Sequence, residues 1–173
     1  YQIIRANWRR DVAKIKYQFL QKRYGTIDIV WTASDQMALG VADAAIEQKL
    51  KVGEDIVIGG FDWIPEALTA VSEGKLTATV GGHFMQGAWA LIKTYDYHNG
   101  LPVFIKGDDR DYIQMEVADQ NNIAQYLPFT SKLDLEQVDF AQFSLFHPAN
   151  KNREQGYRFS IGAFINAYQR PLN

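Results

Sequence analysis

Cysteine is absent from the sequence, which excludes disulfides, thiol catalysis and cysteine-based metal sites while leaving the compartment open. Histidine is scarce. His83, His98 and His147 are scattered with no HExxH or paired spacing, so no metal centre is expected. No apolar run approaches the roughly 20 residues of a membrane-spanning helix. Neither sign of charge prevails: 18 Lys and Arg against 20 Asp and Glu leave a net charge of -2, without the basic surplus of a nucleic-acid or anionic-membrane binder. The GxSxG, P-loop and GxGxxG motifs are missing, no nucleophile can be paired with a base, and no cofactor is implied. The chain is therefore not read as an enzyme. It opens on Tyr1 without a basic leader, so no targeting peptide is read, and it contains no internal repeat or low-complexity tract.

What is present is ordinary globular material: 173 residues, 47% hydrophobic and 22% charged, enough for a real core. From Ile27 to His83 the pattern repeats three times, as an apolar run ending in a small polar cluster and followed by an amphipathic stretch. Apolar, β-branched runs without polar alternation predict strands buried on both faces, as in a parallel sheet covered by helices. Strands are expected at Tyr1–Ala6, Ile27–Ala33, Asp55–Phe61 and Leu76–Val80.

Helices are expected between them. Asn7 is the N-cap of the first, whose buried stripe is Val12, Ile15 and Phe19 with Ala13 and Leu20, and Gly25 stops it. Ser34 or Asp35 caps a second, which buries Met37, Ala38, Val41, Ala42, Ala45 and Ile46. Pro65 opens a third, burying Ala67, Leu68 and Val71 and stopping at Gly74. Met85–His98 is a fourth, with Met85, Ala88, Trp89, Ile92 and Tyr95 on one face. The alternation predicts an α/β fold with a mostly parallel sheet flanked by helices. In such sheets ligands bind beyond the carboxyl ends of the strands. Ser34–Asp35, Phe61–Trp63 and Gly81–His83 are thus expected to lie side by side along one crevice.

After Pro102 the pattern changes. Lys106–Asp111 reads as a charged, solvated loop rather than a calcium loop, and Tyr112–Val117 as a strand. Asn121–Tyr126 reads as one helical turn, Leu133–Phe146 as a helix, His147–Gly156 as a loop, and Tyr157–Tyr168 as an aromatic amphipathic segment.

Three pieces resemble the type 1 periplasmic sugar-binding proteins, the ribose-binding-protein family of ABC transporters, which shares its fold with LacI-type repressor effector domains. Ala33-Ser34-Asp35-Gln36-Met37-Ala38-Leu39-Gly40 resembles the family's "ND-x-MA-x-G" segment. Val57-Ile58-Gly59-Gly60-Phe61-Asp62 followed by Pro65-Glu66-Ala67 resembles "V-x-GFD-x-x-PEA", and Gly74-Lys75-Leu76-Thr77-Ala78-Thr79-Val80 resembles "G-x-L-x-ATV". Their order and separations match the family over roughly residues 1 to 100.

The resemblance implies a two-lobed fold that clamps its ligand between the lobes, of which this chain would be an incomplete, carboxy-terminal portion with an extension. Residues 1–82 would form the second-lobe ligand-binding portion. Residues 83–118 would cross to the first lobe, and 119–173 would return and form the extension. An incomplete lobe exposes apolar surface, so self-association is an expectation as well.

Sugar recognition needs planar groups against the ring and fixed polar groups for the hydroxyls. Phe61 and Asp62 offer one of each at a single strand end, and in the family the matching pair contacts the sugar; the other reading of Asp62 is a helix cap. Trp8 follows the first strand, where family members often place an aromatic against the sugar; otherwise it packs at a helix start. Ser34 stands at the family's asparagine, and Asp35 caps the helix or touches ligand. Trp63 walls the crevice or covers the helix, whereas Trp31 reads as core. Where many relatives carry glutamine after "ATV-x", this chain has Gly82, followed by His83. Gly82 is either a hinge or space for a larger ligand, and His83 is either structural or a ligand contact.

The resemblance implies a periplasmic solute-binding protein that binds a sugar or similar small polar ligand and delivers it to the membrane permease of an ABC transporter. The alternatives are a periplasmic sensor partnering a membrane sensor kinase, or the effector domain of a LacI-type repressor. No nucleic-acid contact is expected from this portion.

Overall fold

Parallel strands require helical crossovers, and the order of elements in the computed structural model follows that need. It describes residues 2–103, 114–128, 133–150, 156–157 and 159–169. The chain divides into two compact units, Tyr1–Gly81 with Glu116–Leu133, and Gly82–Met115 with Asp134–Asn173.

The first unit runs α1 (Arg10–Tyr24), β1 (Ile29–Trp31), α2 (Asp35–Glu47), β2 (Val57–Phe61), α3 (Pro65–Ser72) and β3 (Ala78–Gly81), and is completed by β4 (Glu116–Asp119). The sheet order is β1-β2-β3-β4. The first three strands are parallel, in register Ile29 with Val57 and Gly59 with Ala78, and β4 runs antiparallel to β3, Thr79 opposite Ala118. Ala38, Ile58, Leu68, Val71, Leu76 and Ala118 form fully buried parts of its core. The helix signals act as their chemistry dictates. Ser34 caps α2 by accepting a hydrogen bond from the Met37 amide, Pro65 opens α3, and Gly25 (φ 81°) ends α1.

Several expectations fail. Gln2–Ala6 forms no strand, because no described neighbour pairs with it, and Ile3 stands fully exposed. The strand of Ile27–Ala33 shrinks to three residues at the sheet edge, where Ile29 (71% exposed) and Trp31 (66%) face solvent; Trp31 is not core. Asn7 is not the N-cap of α1, a position taken by Arg9. Helix α1 buries Ala13 and Tyr17 rather than Ile15 and Phe19. It lies so close to α2 that a Cβ on Gly40 would fall 2.1 Å from the Arg10 carbonyl oxygen. Ile46 of α2 is exposed.

The second unit begins with a 3₁₀ turn (His83–Met85) and α4 (Gln86–His98), and ends with α5 (Ile161–Tyr168), capped by Ser160. Met85 at the end of the 3₁₀ turn and Trp89 and Ile92 of α4 are buried, but Tyr95 is exposed. Trp89 stacks on Phe159 at 4.8 Å and meets Phe143 edge-on at 4.9 Å. The buried Asp96 carboxylate accepts hydrogen bonds from the Ser144 hydroxyl, from the Leu145 amide at 2.7 Å and from the Tyr157 hydroxyl at 2.9 Å. The expected helix over Leu133–Phe146 is instead two 3₁₀ turns, Leu135–Gln137 and Phe140–Phe143. Asp134 and Asp139 accept hydrogen bonds from the amides of Glu136 and Ala141, an alternative to continuous helix that the spacing of apolar residues does not reveal. Asn121–Tyr126 contains a 3₁₀ turn at Ile123–Gln125. Lys106–Asp111 lies outside the described residues.

Candidate functional site

Because β1, β2 and β3 are parallel neighbours, their carboxyl ends form one edge of the first unit. Residues from three separate stretches of sequence meet there. Ser34 and Asp35 follow β1 at the start of α2, and Phe61, Asp62 and Trp63 leave β2. The turn after Ala6 reaches the same neighbourhood, because Ala6 packs with Met37 and Ala33 next to the end of β1.

Two turns at this edge hold non-glycine residues at positive φ: Asn7 (53°) with Trp8 (60°), and Asp62 (128°) with Trp63 (63°). Such conformations persist only where the surroundings enforce them, and they concentrate at functional sites. The first turn leaves Trp8 67% exposed, with the Arg9 amide closing the turn onto the Ala6 carbonyl at 3.1 Å. In the second, the Asp62 amide donates to the Val80 carbonyl at 2.8 Å, continuing the β2–β3 ladder one residue past the strand. Phe61 and Asp62 remain half-buried at the edge.

Trp63 turns inward. Its side chain is 4% exposed, its indole N–H donates to the Thr79 carbonyl at 3.0 Å, and its ring lies 4.4 Å from that of Tyr126. A Cβ on Gly81 would come 2.3 Å from Trp63 Cγ, so the glycine at the end of β3 makes room for the indole. Tyr126 in turn donates to Glu116 Oε2 at 2.7 Å. Burial above all, then that hydrogen bond to the carboxylate, pushes the phenol well above its usual range.

Asp35 is completely buried. Its Oδ1 accepts from the Thr79 hydroxyl at 2.6 Å and its Oδ2 from the Ile64 amide at 3.0 Å. Burial pushes its carboxyl up, the Thr79 and Ile64 hydrogen bonds pull it down, and the nearby Asp62 charge raises it further. Ser34, 4% exposed, serves the helix as its N-cap.

This edge therefore brings together a half-buried aromatic residue and a half-buried carboxylate residue, Phe61 and Asp62, and the exposed Trp8. Gly82 and His83 belong to the second unit. Gly82 has φ 102°, and Ile161 of α5 fills the space beside it, with Cγ1 2.6 Å from where a Cβ would stand. His83 is half-buried in the 3₁₀ turn before α4. Sequence reasoning missed Thr79 and Tyr126, which hold the Asp62–Trp63 turn from beneath. The alternating threonines of Thr77-Ala78-Thr79 carried a signal, since a buried hydroxyl beside a strand-end carboxylate requires a partner.

A hollow of about 530 Å³ lies in the second unit, lined by Leu91, Ile92, Tyr95, Phe140, Phe146 and Pro148 among others. Its walls are chiefly apolar and lack the converging polar groups that a sugar's hydroxyls need. Among the described residues no three His, Asp or Glu side chains gather as a metal site, and no helix is long and apolar enough to cross a membrane.

Comparison with known proteins gives a consistent picture. The family model described as a periplasmic binding protein domain matches residues 1–100. The D-allose-binding periplasmic protein of Escherichia coli (strain K12) is 39% identical over 75 residues, 43% of this chain and 24% of that protein. Among solved structures, a periplasmic sugar-binding protein from Pseudomonas fluorescens is 32% identical with a TM-score of 0.77, over 92% of this chain and 48% of its own. The periplasmic binding component of the arabinose ABC transporter from Shewanella sp. ANA-3, bound to arabinofuranose, is 28% identical with a TM-score of 0.57, over 73% of this chain and 41% of its own. The chain thus spans less than half the length of these relatives.

Proposed function

The chain belongs to the periplasmic binding protein domain family, and from that premise we propose that it binds a sugar or similar small polar solute at the carboxyl edge of its parallel strands, in the periplasm. The observation that carries this reading is the pairing of Phe61 and Asp62 at the end of β2. The ring offers a planar apolar face, and the carboxylate accepts hydrogen bonds from ring hydroxyls. The exposed Trp8, on its own positive-φ turn, supplies a second planar face. The solute is handed to the membrane permease of an ABC transporter. Differential affinity for the ligand-bound conformation would couple the two events.

Supporting the solute class are the sugars of similar proteins, D-allose and arabinofuranose. The chain's own residues support it too: the edge carries one acceptor carboxylate and two aromatic side chains.

The test is a thermal-shift screen of the chain, expressed with whatever sequence flanks it in its gene, against aldohexoses, pentoses, polyols and small acids. Ligand at about a hundred times its dissociation constant stabilises the native state by about 2.7 kcal/mol. Asp62→Ala removes a hydrogen bond to a charged group worth about 1.5–3 kcal/mol, and is expected to weaken binding at least tenfold. A screen without any shift, or an Asp62→Ala variant with unchanged affinity, rejects this assignment of the site.

A further inference from the structure

The turn that presents Phe61 and Asp62 is held in a conformation that L residues seldom adopt unaided. What enforces it comes from outside the turn. The buried Asp35 carboxylate reaches from the first residue of α2 to the Ile64 amide, just beyond the turn, with one oxygen, and to the Thr79 hydroxyl on β3 with the other. From the opposite side the Trp63 indole reaches the carbonyl of the same Thr79. Thr79, itself fully buried, is therefore gripped through both its side chain and its backbone. Both glycines nearby make room for the clamp. A Cβ on Gly60 would lie 2.3 Å from Asp35 Oδ1, and one on Gly81 2.3 Å from Trp63 Cγ.

We propose that Asp35 is a positioning residue for ligand binding: it does not meet the ligand but locks the Phe61–Trp63 turn, through Ile64 and Thr79, in the geometry that presents Phe61 and Asp62. The inference rests on the proposed reading of that edge as the solute site. Asp35 is 0% exposed, so its carboxylate has no open path to a solute, and both oxygens already accept hydrogen bonds from the chain. Its location at the start of α2 also suits a negative charge on the helix dipole, and the two roles separate by substitution. Asp35→Asn would keep both links without the charge, the new side-chain carbonyl accepting from the Ile64 amide and the new side-chain amide donating to the Thr79 hydroxyl oxygen. Asp35→Ala would keep neither.

The experiment compares the unaltered protein with Asp35→Asn and Asp35→Ala in its full chain. Amide exchange at Asp62 and Ile64 and the indole N–H resonance of Trp63 are followed by nuclear magnetic resonance, with the Trp89 indole as internal control. Asp35→Ala is expected to speed Ile64 and Asp62 exchange at least tenfold and to move the Trp63 signal, leaving Trp89 in place. Asp35→Asn is expected to stay within about threefold of the unaltered protein. Titration with D-allose should show the same split, with affinity lost at least tenfold in the alanine variant and retained within threefold in the asparagine variant. An alanine variant with unchanged Ile64 exchange, or an asparagine variant as impaired as the alanine one, overturns the proposal. Failure of the unaltered protein to bind D-allose counts against the sugar reading alone, because the exchange data decide the clamp without ligand. Should Asp35→Ala not fold, Thr79→Val removes only the hydroxyl link. Faster Ile64 exchange in that variant supports the clamp, and unchanged exchange overturns it.

Discussion

A carboxylate with no exposure to water is a costly residue, and Asp35 carries it for geometry rather than charge. The cost is visible in its titration. Burial raises its carboxyl above the ordinary 3.8, the Thr79 and Ile64 hydrogen bonds oppose the rise, and the charge of Asp62 adds to it. A proton then binds the folded state more tightly than the unfolded one. The stability this contributes is complete below the unfolded value and is lost as pH rises through the folded one. Asp35→Asn has no such dependence, and the remaining carboxylates are common to both proteins. We therefore expect the stability of the unaltered protein, measured by urea denaturation relative to Asp35→Asn, to fall as the pH rises above the ordinary carboxylate range. Parallel profiles would refute this account of the residue. Asp96 is likewise buried, and without it the buried Ser144 hydroxyl and the part-buried Leu145 amide and Tyr157 hydroxyl would lose their acceptor. At about 1–3 kcal/mol for each orphaned group, Asp96→Ala is expected to lose several kcal/mol of the second unit's stability in the same assay.

Among the elements, close approach governs more than propensity does. Glycine inside a helix is usually worth replacing, since alanine gains about 1 kcal/mol there. At Gly40 in α2 the sign reverses. A Cβ would sit 2.1 Å from the Arg10 carbonyl oxygen, a backbone atom that moves only if α1 moves. Overpacking of this kind costs about 1–3 kcal/mol, so Gly40→Ala is expected to destabilise by about 1–2 kcal/mol net, read as a lower urea midpoint at constant slope. Arg10 also bonds Asp43 through its Nε at 2.7 Å and Glu66 through Nη1 at 2.5 Å. Those pairs are about one-third to one-half exposed and contribute little beside the packing. The close helix pair decides which face of α1 is buried, and so why Ile15 and Phe19 face water.

For the molecule as a whole, the open edge of the sheet has a consequence in solution. β1 is paired on one side by β2, and its Ile29 and Trp31 are largely exposed, as is Ile3 nearby in sequence to the first turn. No proline or lysine within β1 blocks its edge. Isolated at high concentration, the chain is expected to self-associate, with sedimentation velocity showing a concentration-dependent rise in mean mass. Ile29→Lys should suppress the rise, and an unaltered chain that stays monomeric throughout would count against it. Its net charge of -2 supplies little repulsion to prevent association.

Sequence alone determined the alternation of strands and helices, the α/β class, a cap for α2 at Ser34 or Asp35, the opening of α3 by Pro65, and the nearness of Phe61 and Asp62 to a strand's carboxyl end. Each of these is written in local chemistry: apolar periodicity, a side-chain oxygen, a fixed φ, a short distance along the chain. Tertiary structure alone decided which apolar residues were core, since Trp31 and Ile15 are as apolar as Ile58 but lie on an edge or an outer face. It also decided the partners of Asp35. Nothing in the local run Ser34–Asp35–Gln36 says that the carboxylate will meet Thr79, forty-four positions away, because that contact exists only once β3 lies beside β2. The inward turn of Trp63 has the same origin, for it requires the space left by Gly81 and the ring of Tyr126 from a segment that returns to the sheet after the second unit has begun.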